Sequence, residues 1–172
     1  MKTLRETIPL RKQKIFKNTI KGITKLIIFY GIISIFLIAF IFSDSNHIPQ
    51  SLLPYIAYRE VLRICWFGLI FLLVIWNPIY HYLYFKRYFY DINNENIIIR
   101  KGAIAQKEIT LPFSRITDVY VNQDILDVIF GLYDVHMSTP TEQSGQFAHI
   151  DGVDKPGNIK LKQLILKEIN KY

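Results

Sequence analysis

Two stretches of this 172-residue chain, residues 26–42 and 64–85, contain no Lys, Arg, Asp or Glu, and that absence governs the reading of everything else. Cysteine is nearly absent too. Cys65 stands alone inside the second stretch, which excludes an intrachain disulfide and a thiolate metal cluster and leaves a small apolar residue. The four histidines, His47, His81, His136 and His149, form no HExxH or His/Cys grouping. Glycine is sparse and builds no phosphate loop, and no GxSxG is present, so Ser114 and Ser138 lack an evident base. These absences give no catalytic, cofactor-binding or metal-binding residue, and the chain is expected not to be an enzyme.

What is present begins with the charge-free runs. At about 1.5 Å per helical residue, the first run extended by Ile23 and Thr24 spans a hydrocarbon core of about 30 Å once Lys25 snorkels to the interface. The second run is equally long. Asn77 and Pro78 interrupt it, so its helix is expected either to kink there or to run from near Ala57 to near Trp76. A cleaved signal sequence is disfavoured for the first run, because it exceeds a typical apolar core of such a segment and a second span follows closely. Gly31, Ser34 and Gly68 are small residues that would let the two helices approach. His81, among Tyr80, Tyr82 and Tyr84, reads as part of an aromatic interfacial belt.

The net charge of +7 is concentrated before the first span. Residues 1–25 carry eight basic side chains against Glu6 alone, whereas residues 43–63 and 86–172 are each balanced. The positive-inside rule therefore keeps both termini in the cytoplasm and puts the loop 43–63 outside. On a helix, Phe16, Ile20 and Ile23 share one side and Lys14, Lys17, Lys21 and Lys25 the other, as in an interfacial helix. Arg11, Lys12, Lys14, Lys17, Lys21 and Lys25 are accordingly candidate contacts to an anionic membrane surface, each contributing about 1 kcal/mol. Nucleic acid is not an expected partner, since the soluble part has neither net charge nor a basic patch with interleaved aromatics. The lipid bilayer is.

Residues 86–172 suffice for one small domain. Turn signals divide them into strands at 87–92, 96–100, 106–111, 116–122, 132–139 and 146–150, with Asn93-Asn94 and Gly102 marking the first two turns. Tyr133, Val135 and Met137 alternate with Asp134, His136 and Ser138, so the first set faces a core. Residues 124–130 fit a short helix that starts on an acidic residue and stops at Gly131. From about Asn158 a second helix places Leu161, Leu164, Ile165, Ile169 and Tyr172 on one side and Lys160, Lys167 and Lys171 on the other.

The segments Tyr88-Phe-Tyr-Asp-Ile, Asn96-Ile-Ile-Ile-Arg-Lys-Gly102, Ile109-Thr-Leu-Pro-Phe-Ser-Arg-Ile116, Phe130-Gly-Leu and Ala148-His-Ile-Asp-Gly-Val153 occur in an order that resembles the bacterial pleckstrin-homology-like domain of YdbS-type membrane proteins. The resemblance covers about half the chain. It implies an α+β fold: two transmembrane helices followed by a bent antiparallel sheet capped by a C-terminal helix. The expected division is a basic segment 1–25, a two-helix anchor 26–85 and a cytosolic domain 86–172.

Phosphoinositide-binding members of the wider superfold place Lys and Arg around the first hairpin, where this chain has Asp91, Asn93, Asn94, Glu95 and Asn96. The expectation is therefore a membrane-anchored scaffold whose domain docks a protein. The resemblance suggests a larger membrane protein built from related domains, and association between copies of this chain is compatible with the same surfaces. Lys160, Lys167 and Lys171 are the candidate partner-facing residues. The alternative is a sensor of anionic lipid headgroups.

Overall fold

A computed structural model describes residues 3–42, 53–140 and 148–171. Three helices come first: α1 (Leu4–Thr7), α2 (Gln13–Phe42) and α3 (Leu53–Arg87). Strands β1 (Phe89–Ile92), β2 (Asn96–Lys101) and β3 (Lys107–Pro112) follow, then a 3-10 turn at Phe113–Arg115 and β4 (Asp118–Asn122). The chain ends with α4 (Ile125–Phe130), β5 (Tyr133–Ser138), β6 (His149–Val153) and α5 (Lys155–Ile169). It divides into two compact units, Met1–Asn18 with Tyr80–Tyr172, and Thr19–Ile79.

The Thr19–Ile79 unit consists of helix alone among its described residues. Two helices are long and apolar enough to cross a membrane, over Gln13–Phe36 and Val61–Arg87. Their outward side chains, such as Ile27, Ile28, Ile64 and Phe71, are exposed, as an apolar solvent permits. Of the two expectations at Pro78, the helix end near Trp76 does not hold, because α3 continues through Pro78 to Arg87. Within this unit Trp66 Nε1 donates to Ser34 Oγ at 3.0 Å, and the Tyr30 and Trp66 rings lie 5.4 Å apart. Gly31 and Gly68 meet nothing within 4 Å of a Cβ position, so they are not the point of close approach; at Gly22 a Cβ would strike the Asn77 side chain. Residues 43–52 of the expected external loop lie outside the described residues.

The other unit carries the expected antiparallel strands, arranged as two three-stranded sheets ordered β1-β2-β3 and β4-β5-β6. Val135 and Met137 are buried, as the alternation predicts, together with Tyr88, Tyr90, Ile97, Ile99, Phe113 and Ile150. Helix α5 covers this core with Leu161 and Ile165, and with Leu164 and Ile169 at its margin. It starts three residues before the expected Asn158, because Asp154 caps it by accepting from Gly157 N at 2.9 Å and Pro156 fits its first turn. Strand β6 lies at His149–Val153 instead of 146–150, and Gln146 and Phe147 are outside the described residues.

The N-terminal residues depart most from expectation. Residues 1–18 belong with the sheets and do not form a separate interfacial segment. Ile8 and Leu10 are buried in the same core, and the Tyr90 hydroxyl donates to the Ile8 carbonyl. Leu4 N donates to Asp91 Oδ1 at 2.9 Å. Arg5 donates to the Phe85 and Lys86 carbonyls, the free end of α3, where a cation also complements the helix dipole.

Candidate functional site: acidic receptors for the α2 lysines

The first turns of α2 carry Lys14 and Lys17 on one side, three residues apart, as helical geometry requires. Both are buried, at 2% and 5% exposure. Lys14 Nζ lies 2.8 Å from Asp151 Oδ2, donates to the Asp151 carbonyl at 3.0 Å and sits 4.0 Å above the centroid of the Tyr88 ring. The aromatic face offers a second, cation-attracting surface to an ammonium that has left water. Lys17 Nζ donates to Asp127 Oδ1 and to Asp134 Oδ2, the latter at 3.3 Å, and lies 3.6 Å from Asp124 Oδ2.

Those acids come from three separate elements. Asp151 is on β6, Asp134 on β5, and Asp127 is the single polar residue of α4. Gly152 makes the approach feasible. Its φ of 80° suits glycine, and a Cβ there would collide with the Lys14 side chain. Gly152 N donates to Asp134 Oδ1 at 2.9 Å, while its carbonyl accepts from Arg11 N at 2.9 Å, so one residue joins the lysine helix to the sheet. Arg11 itself pairs with Asp154, the cap of α5.

Electrostatics separate the two receptors. Burial pushes the Asp151 carboxyl up, but Lys14, the His149 imidazole and Lys101 outweigh it and hold it well below the usual carboxylate range. Burial raises Asp127 instead, only partly offset by Lys17 and by the Asp124 N–H. Lys101, at the end of β2, lies 3.7 Å from Asp151 Oδ1, too far for a hydrogen bond; burial lowers it to about 8 against the pull of Asp151. Buried and without a hydrogen-bond partner among the described residues, it is the most weakly compensated member of the group.

His149 Nε2 lies 2.9 Å from Asp151 Oδ1, and its ring stacks on His136, which stacks on Tyr120. A His–Asp pair can orient a general base, yet His149 Nδ1 is buried without a hydrogen-bond partner among the described residues, and none of their hydroxyls or thiols completes the arrangement. Among the described residues no group of three or more His, Cys, Asp or Glu is placed to hold a metal ion. What the geometry does is clamp.

This corrects two of the six expected membrane-surface contacts. Lys14 and Lys17 are taken up by buried carboxylates of the domain and do not present ammonium groups to a membrane surface. Arg11 is spent on Asp154, though its side chain remains half exposed, while Lys12, Lys21 and Lys25 are exposed. Lys160 and Lys167 lie exposed on α5 and Lys171 lies exposed just past its end, with Lys171 Nζ 2.6 Å from Glu168 Oε2. Asp127, Asp134 and Asp151 were missed by sequence reasoning. The available signal was Asp127, an acid inside a helix whose other five residues are apolar.

A family model described as bacterial PH domain matches residues 25–169, which takes in α2 from Lys25 onward, all of α3, both sheets and α5. Comparison with curated proteins and with solved structures gives no match.

Proposed function

This chain belongs to the bacterial PH domain family, and from that premise we propose that it is a two-span, non-enzymatic docking module whose cytosolic domain holds a protein partner. PH-like domains are generally binding modules without catalytic activity. The observation that carries the protein-docking reading is the fate of the basic side chains. Lys14 and Lys17 are engaged by Asp151, Asp127 and Asp134, and the β1–β2 tip is made of Asn93, Asn94 and Glu95, which offer no cationic cradle for a phosphorylated headgroup. The lysine side of α5, which is exposed, and the outer edge of β3, which ends its sheet, are the surfaces assigned to the partner. An acidic partner suits the first and an added strand the second. A larger membrane protein built from related domains fits both, as does a second copy of this chain.

Orientation belongs to the same proposal: both termini cytoplasmic, as the basic excess before residue 25 requires of a two-span chain. The lipid-sensor reading retains one support, since Lys12, Lys21 and Lys25 are exposed beside the first span. The test is recovery of partners by crosslinking and mass spectrometry of the full-length chain in native membrane. Charge reversal at Lys160 and Lys167 is expected to lose the partner, whereas Lys12, Lys21 and Lys25 replaced together by Gln keep it and weaken only anionic-lipid preference. Headgroup-specific binding by the full chain with no partner recovered overturns the docking reading.

A further inference from the structure

Helix α4 is built inside out. Its one polar residue, Asp127, is fully buried, whereas Ile125, Val128 and Ile129 are 81%, 64% and 68% exposed. Water would select the reverse, so the medium outside α4 is apolar. A second apolar projection repeats the pattern. The turn between β2 and β3 reads Gly102-Ala-Ile-Ala-Gln106, and Ile104 at its tip is 70% exposed.

Each projection is tied to a helix that carries an apolar run. Asp127 of α4 holds Lys17, which precedes Ile23 by six residues of α2, about 9 Å of helix. The Ala103 carbonyl accepts from Arg87 at 2.7 Å, and Arg87 is the last residue of α3, two positions after its charge-free run. The opposite end of β2, about 20 Å away along the strand, is the polar tip Asn93-Asn94-Glu95. Polarity therefore changes along β2, with an apolar tip on the turn that Arg87 contacts and polar residues at the far end. A helix lying in the headgroup region buries its apolar face about 5–10 Å deep, the layer within reach of these two tethers.

We propose that α4 and the β2–β3 turn rest in the bilayer interface, with Ile125, Val128, Ile129 and Ile104 inserted among lipid and the Glu95 tip in water. Insertion fixes which edge of the domain remains open to partners. The proposal rests on the two-span reading.

The test uses the full chain in phosphatidylcholine/phosphatidylglycerol nanodiscs, with Cys65→Ser as background and an NBD fluorophore on Ile129→Cys, Ile104→Cys or Glu95→Cys. Labels at 129 and 104 are expected to emit at shorter wavelength than the label at 95. Shallow doxyl-lipid should quench them severalfold more than it quenches the label at 95, with iodide giving the reverse order. Iodide quenching at 129 equal to that at 95, in protein that co-elutes with the discs, overturns the insertion and leaves the spans intact. Protection at 129 from both quenchers overturns it as well, because the covering surface is then protein. A chain that fails to co-elute with discs refutes the spans themselves.

Discussion

Two helices of this protein carry lysines at helical spacing, and they meet opposite fates. On α5, Lys160 and Lys167 project into solvent while Leu161 and Ile165 enter the core, the ordinary arrangement of a surface helix. On the first turns of α2 the order is inverted: Lys14 and Lys17 are buried and Phe16 is exposed. The difference is the presence of receptors. Among the described residues no carboxylate pairs with Lys160 or Lys167, whereas Asp127, Asp134 and Asp151 converge on α2 from more than a hundred residues downstream. Periodicity defines a face, and tertiary partners decide what that face meets.

The sharpest way to break the comparison is to put a charge where α5 is apolar. Leu161→Asp places a carboxylate without a receptor in the core, at a cost on the order of 5 kcal/mol or more, comparable to the whole stability of a domain. Unfolding should show as loss of protection from protease across residues 88–171 in detergent. Retained protection would mean that α5 does not seal the core.

The next largest effect should come from α2. Lys14→Met leaves Asp151 with only Lys101 and His149, and removing one partner of a buried pair costs about 3 kcal/mol. The acid side of the pH profile reports the same contact. Asp151 is held below its unfolded value of about 3.9, so its stabilisation is full above that pH and is lost as pH falls toward the depressed folded value. Urea midpoints below pH 4 should fall more steeply in the parent than in Asp151→Asn. Asp127, raised by burial, acts in the opposite direction and in the adjacent window above about pH 4, where its contribution falls as pH rises toward its raised folded value.

Lys101 sharpens the contrast between closely and loosely paired buried lysines. Its folded pKa of about 8 lies below the unfolded value of about 10.4, so the unfolded chain holds more protons between them. Stability therefore rises with pH through that window, until Tyr88 and Tyr90, both raised by burial, oppose it above about pH 10. Lys101→Met should abolish the rise without loss of stability at pH 7. A clear loss at pH 7 would make Lys101 a partner that Asp151 requires. The smallest effect belongs to α5: Lys160→Ser with Lys167→Ser should leave the urea midpoint unchanged.

Much of this architecture was legible locally. Asn93-Asn94, Gly102 and Gly131 punctuate the strands where the structure turns, and the 133–137 alternation gave the core face of β5. The start of α5 was written in Asp154 and Pro156 but was masked by a hydrophobic pattern that begins later. The docking of Ile8 and Leu10 and the burial of Lys14 and Lys17 were not legible, because a short basic segment beside an apolar run reads as a topology signal. Its acidic partners carry no sequence mark beyond an isolated Asp127. The continuation of α3 through Pro78 shows the same limit: loss of one N–H is a local cost that a long apolar helix absorbs.

The central claim, that the α2 lysines are structural parts of the PH-like domain, is tested most directly by a double-mutant cycle on Lys14 and Asp151. Lys14→Met, Asp151→Asn and the double variant are compared with the parent full-length chain by urea-dependent proteolysis at pH 7. A contact of this kind should give a coupling of about 1–3 kcal/mol, with the double variant more stable than the sum of the two losses implies. Additivity within about 0.5 kcal/mol would contradict the clamp and return Lys14 to the membrane surface.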